Sequence, residues 1–163
     1  MQNGEARVIA THDDDNLDMK LDGRARLDSQ RTIANLMLDM EGADLHDLNF
    51  NPQPLKLSFL LKGRYDGNPE DFDASVSIDD ILILGDENTT YRSDTVYVGI
   101  ENAPDTSFVE VQSPTISGNM HSNAALAATS STMQTYINNA MGRDTTHLDT
   151  TYQKLNMDAE FKI

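Results

Sequence analysis

The chain has 163 residues, 38% of them hydrophobic and 6% aromatic, with no Trp and no Cys. That length fits one domain or a few modules of a repeat array, and the shortage of bulky apolar side chains predicts a thin or open core. Twenty-seven Asp and Glu against twelve Lys and Arg give a formal net charge of -15, which repels nucleic-acid phosphates and anionic headgroups.

The lack of cysteine excludes disulfides and thiol chemistry but fits a periplasm, a cell surface or a cytosol equally well. The opening MQNGEARVIATH lacks the apolar stretch of a signal peptide. Nor does any segment approach the roughly 20 apolar residues of a spanning helix.

The first clear element is a two-residue alternation. From Leu17, one face carries Leu17, Met19, Leu21, Gly23, Ala25 and Leu27, while Asp18, Lys20, Asp22, Arg24, Arg26 and Asp28 take the other. A helix would scatter those charges around its circumference, whereas a half-buried strand needs this pattern. The segment NLMLDM, with Leu36 and Leu38 on its apolar face, predicts the partner strand.

The same grammar returns in Leu55, Leu57, Phe59, Leu61, Gly63 and Tyr65, and again in Ala74, Val76 and Ile78 opposite Asp73, Ser75, Ser77 and Asp79. Shorter runs follow at Val96, Val98 and Ile100, at Val109 and Val111, and at Ile116, Gly118 and Met120. Turn-forming residues at 66–69 and 102–105 separate them, so a meander of antiparallel hairpins is expected. Residues 1–121 then form repetitive β-hairpin modules.

Residues 122–142 read differently. Leu126, Met133, Ile137 and Met141 recur at helical spacing, with Ser122 as N-cap and Gly142 beyond the C-terminus. Alternation resumes at Leu155, Met157, Ala159, Phe161 and Ile163, so 143–163 reads as the start of a next β module, truncated in mid-strand. The abrupt ends suggest an internal fragment of a longer protein.

A shift of forty positions aligns Leu21 with Leu61, Gly23 with Gly63, Arg24 with Arg64, Ala34 with Ala74 and Asp39 with Asp79. The shared content is a strand with an internal Gly, a polar turn and a second alternating strand. Units of this size stack so that neighbours bury each other's faces.

Catalytic signals are missing. His12, His46, His121 and His147 lie in unrelated polar contexts with no i, i+4 pair. Asp13, Asp14 and Asp15 resemble the start of a calcium loop, but the later ligands and turn Gly fall out of register. Neither a nucleophile elbow nor a phosphate loop occurs. The expectation is a non-enzyme with no metal and no cofactor.

The glycine-bearing strands KLDGRARL and FLLKGRY, their partners NLMLDM and ASVSIDD, the run FVEVQSPTISGNMHSN leading into AALAATSSTMQTYINNAM, and the closing LNMDAEFKI resemble the periplasmic TamB-like branch of the AsmA-type bridge proteins. The likeness spans nearly the whole chain and rests on pattern. It implies a curved, trough-like β-sheet (a β-taco) within an envelope-spanning protein of Gram-negative bacteria that is anchored in the inner membrane.

It also implies a role in outer-membrane biogenesis and lipid transport, with phospholipid acyl chains along the apolar inside and an outer-membrane assembly partner. The groove-lining candidates are Met19, Leu21, Leu36 and Leu38 from the first hairpin and Leu57, Phe59 and Leu61 from the next strand. Val76, Ile78 and Val98 follow, and Leu155 and Met157 come from the last strand. A β-sandwich needs the same alternation, so a secreted or surface adhesin-like binding module without lipid remains open at this point.

Overall fold

The computed structural model describes residues 4–86, 89–130 and 157–162. Nine strands run in chain order: β1 (Gly4–Asp13), β2 (Leu17–Leu27), β3 (Thr32–Asp44), β4 (Lys56–Gly67), β5 (Phe72–Leu84), β6 (Thr90–Ala103), β7 (Thr106–Gln112), β8 (Ser117–Ser122) and β9 (Met157–Lys162). Each pairs antiparallel with the next, and spatial order equals chain order, with β1 and β9 as edges of one open sheet. The chain is therefore mainly β and built of successive hairpins, and no second sheet closes over it among the described residues.

The alternating runs fall inside β2 to β8, with adjusted limits. Residues 66 and 67 still belong to β4, so the turn is at Asn68–Asp71, and Ile116 sits in a turn, 47% exposed, before β8. Strand β1 was not expected, because Ile9 interrupts the alternation of Ala6, Val8 and Ala10. The stretch read as opening a further module supplies β9 to this same sheet, next to β8.

The forty-residue repeat holds in the register. Leu21 pairs with Leu38 and Gly23 with Leu36, while forty positions on Leu61 pairs with Ile78 and Gly63 with Val76. The irregularities repeat too. Met19 pairs with Met40 but Asp18 with Gly42, leaving Glu41 as an extra residue. Ser58 likewise pairs with Leu82 and Leu60 with Asp79, and the intervening Asp80 adopts a φ of 53°, which Asp tolerates better than most residues. Such bulges bend the strand and increase its twist.

The turns repeat as well. Asp28 Oδ1 accepts the Gln30 and Arg31 N–H groups at 2.9 and 2.7 Å. Asn68 Oδ1, forty positions on, accepts those of Glu70 and Asp71 at 2.9 and 3.1 Å. In each, a short polar side chain takes up donors that the tight turn leaves without a ladder partner.

Candidate functional site

Residues opposite one another in antiparallel strands share a face, so the register defines what each side presents. One row crosses the sheet as Val8, Gly23, Leu36, Gly63, Val76, Val98, Val111 and Gly118. Beside it runs Ala10, Leu21, Leu38, Leu61, Ile78 and Val96. On its other side lies a row of small residues, Ala6, Ala25, Ala34 and Ala74, interrupted by Tyr65. The Tyr65 ring stacks on Phe72 with centroids 5.4 Å apart.

The candidates Met19, Leu21, Leu36, Leu38, Phe59, Leu61, Val76, Ile78 and Val98 thus lie on one continuous face. Leu57 pairs beyond the bulge, with Ala43 and Ile83. Met157 stands in β9 opposite Ser122, and Leu155 lies outside the described residues.

Among the described residues, no second layer covers this face. Ala43, 4% exposed, is the only buried hydrophobic side chain among the described residues, whereas Leu36 and Val76 near the middle of the face are each 42% exposed. The small residues leave a shallow hollow of about 540 Å³ across β1 to β5, bounded by Val8, Leu21, Leu36, Tyr65 and Val76. At Gly23 an added Cβ would meet the Leu36 methyl at 3.4 Å, so the glycine's missing side chain makes that part of the hollow.

One end of the face is closed. Beyond Phe72 the edge row continues as Asn102, Ser107 and Ser122, and a helical turn at residues 126–130 lies on these polar groups. Ser122 Oγ bonds Thr129 Oγ1 at 2.8 Å, and all three of Ser107, Ser122 and Thr129 are 0–1% exposed. Asn102, also buried, accepts the Leu126 N–H at 2.6 Å and donates to the Glu70 carbonyl at 2.9 Å.

Ser122 is therefore a strand residue, and the first helical N–H is satisfied by a side chain 24 positions away. Of the helix expected at 122–142, residues 123–125 are not helical, 126–130 are, and 131–142 lie outside the described residues.

The opposite face carries a lattice of ion pairs. Asp22 joins Arg7 at 2.9 Å and Arg24 at 3.2 Å, Lys62 joins Asp79 at 2.9 Å, and Arg31 and Arg64 both reach Asp66. Hydrogen bonds from Arg7 and Arg24 lower the Asp22 carboxyl to about 2, and Asp66 and Asp79 are lowered chiefly by Arg31 and Lys62.

Asp14, from the acidic run, is a turn residue. Its carboxylate accepts the Asn16 and Leu17 N–H groups at 2.8 and 2.9 Å and lies 2.6 Å from His12 Nε2. Among the described residues, no three His, Asp or Glu side chains converge to hold a metal ion. No helix among them is long and apolar enough to cross a membrane.

No family model, curated protein or solved structure matches this chain. Alternation placed Ala25 and Ala74 on the apolar face; sequence reasoning missed Val8, Ala6 and Ala34, and that these small residues line up in one row. The signal available was the recurrence of Ala and Gly at every second position of KLDGRARL and its neighbours, which marks a shallow place on an otherwise bulky face.

Proposed function

We propose that this chain is a non-catalytic segment of an envelope-spanning, TamB-like protein of the periplasm, and that its open apolar face holds phospholipid acyl chains. The observation that carries the reading is the contiguous apolar face whose central residues Leu36 and Val76 stay 42% exposed, with no covering layer among the described residues. Contiguous apolar surface of this extent marks a binding site in folded proteins.

Dimensions agree with a hydrocarbon guest. Crossing β1 to β5 spans four strand spacings, about 19 Å, against about 15 Å for one leaflet of a ~30 Å hydrocarbon core. Each methylene moved from water onto such a surface gains roughly 0.8 kcal/mol, so even partial shielding of one chain supports stable binding. The non-catalytic reading is supported by Asp22, Asp66 and Asp79, which pair with cations on the polar face, and by Asp14 and Asp28, which close turns.

The test is a pair of charge insertions. Leu38 and Leu61 are register partners at the centre of the face, and both point to the open side. Replacing either by Asp leaves the strand content by circular dichroism intact, because the carboxylate reaches water. It also abolishes the fluorescence of a groove-binding dye and its displacement by phospholipid. Unfolding of both variants would show that the face is a closed core, the condition for the adhesin-like alternative.

A further inference from the structure

The cations of this acidic chain are unevenly placed. Eight of the twelve Lys and Arg lie in residues 4–67, while residues 68–130 hold Arg92 alone against eleven Asp and Glu. Within residues 4–67, where these eight cations stand against twelve Asp and Glu, Arg7 of β1 is directly opposite Arg24 of β2 in register, and Arg26 follows two positions along the same face, opposite Glu5. Like charges placed directly opposite one another destabilise a strand pair, so this clustering works against the sheet unless an anion offsets it.

Asp22 offsets part of it. Arg7 directs Nε and Nη2 at its two oxygens at 3.4 and 2.9 Å, and Arg24 directs the same two atoms at 3.3 and 3.2 Å. A guanidinium carries five N–H donors in a planar fork, so each keeps donors pointing away from Asp22. Glu5 stands opposite Arg26, and Asp28 also lies in the field of Arg26, so the spare binding capacity lies in the unused guanidinium donors of Arg7 and Arg24. The three arginines and Asn35 border a hollow of about 540 Å³ on the polar face, and the Arg7 and Arg24 side chains are 52% and 64% exposed.

We propose that Arg7, Arg24 and Arg26 form a binding site for a phosphate group, carried by a lipid headgroup or by a free phosphate. Guanidinium forks match tetrahedral oxyanions through paired N–H···O bonds, and Arg7 and Arg24, which share the one carboxylate of Asp22, keep exposed donors for such a group. The site lies on the polar face, with the sheet between it and the apolar hollow, so a phosphate bound there is not the headgroup of a lipid seated on the apolar side. The site stands on its own charges and does not require that lipid.

The experiment compares thermal midpoints with inorganic phosphate or chloride at equal ionic strength, for the full chain and for the double variants Arg7→Gln/Arg26→Gln and Arg7→Lys/Arg26→Lys. The midpoint in chloride reports whether each variant folds. At a tenfold excess of phosphate over its dissociation constant, the parent midpoint rises by roughly 3–5 °C. The rise disappears in the Gln variant and shrinks in the Lys variant, which keeps the charge but loses the fork.

Flotation with vesicles containing phosphatidic acid or, in its place, diacylglycerol separates the two sources. Preference for phosphatidic acid that is lost in the variants identifies a lipid headgroup; a phosphate response without that preference identifies the free anion. Equal midpoints in phosphate and chloride, or a rise retained in the Gln variant, would overturn the site. Leu38→Asp leaves the phosphate response unchanged, so failure of the groove is read separately.

Discussion

The two ends of the sheet treat the same row of positions in opposite ways. Over β2 to β5 that row is Leu27, Thr32, Gly67 and Phe72, with Leu27 47% exposed. Over β6 to β8 it is Asn102, Ser107 and Ser122, all buried beneath a helical turn. Hydrophobic side chains are left open where polar ones are covered, the reverse of ordinary practice. The difference teaches that the helical turn is seated on hydrogen bonds to buried polar side chains, while among the described residues the adjoining apolar rows stay open.

The sharpest way to break the repeat is at Gly67. Gly67 has φ of 148°, and a Cβ there would lie 2.3 Å from the Asp71 carbonyl oxygen. Gly67→Ala is expected to cost about 3 kcal/mol in chemical denaturation. Gly23→Ala, whose new methyl meets only the flexible Leu36 side chain, should change stability by less than about 1 kcal/mol. A similar cost at both glycines would mean that the turn at 68–71 is not the rigid element described.

The covered end has its own weak point. Asn102→Ala strips the partner from the Leu126 N–H and the Glu70 carbonyl, an expected loss of about 2 kcal/mol. Hydrogen exchange at Leu126 should accelerate, while amides of β2 and β3 keep their protection. Faster exchange throughout the sheet would contradict a local latch.

Acid acts more gently, and on the other half. Asp22 has a folded value of about 2 against the ordinary 3.8, so its contribution is present above about pH 4 and fades as pH falls toward 2. Denaturation midpoints should drop over that window, and Asp22→Asn should flatten part of the drop. A drop of unchanged steepness in that variant would assign the acid response to the other carboxylates.

Alternation made β2 to β7 legible because side chains on a strand must point to opposite faces, and the polar sets Asp18 to Asp28 and Asp73 to Asp79 left little choice of register. The bulges at Glu41 and Asp80 were not legible. Each shifts the inward positions from even to odd numbers, but the run Ile81–Leu84 is apolar at every position and the stretch after Glu41 is too short to show the new phase. The Asn102 cap was hidden for a different reason. Local rules look within a few residues of the helix and selected Ser122, whereas the true acceptor is brought in by the β6–β7 hairpin.

Of the candidate site, the apolar rows followed from period alone. Their exposure did not, because an open sheet and one face of a sandwich share one pattern.

Native mass spectrometry of the chain purified from cells without detergent tests the central claim most directly. The account predicts phospholipid adducts on the folded parent chain that vanish in Leu38→Asp. Lipid-free spectra for a folded parent chain, repeated under gentle desolvation, would contradict it.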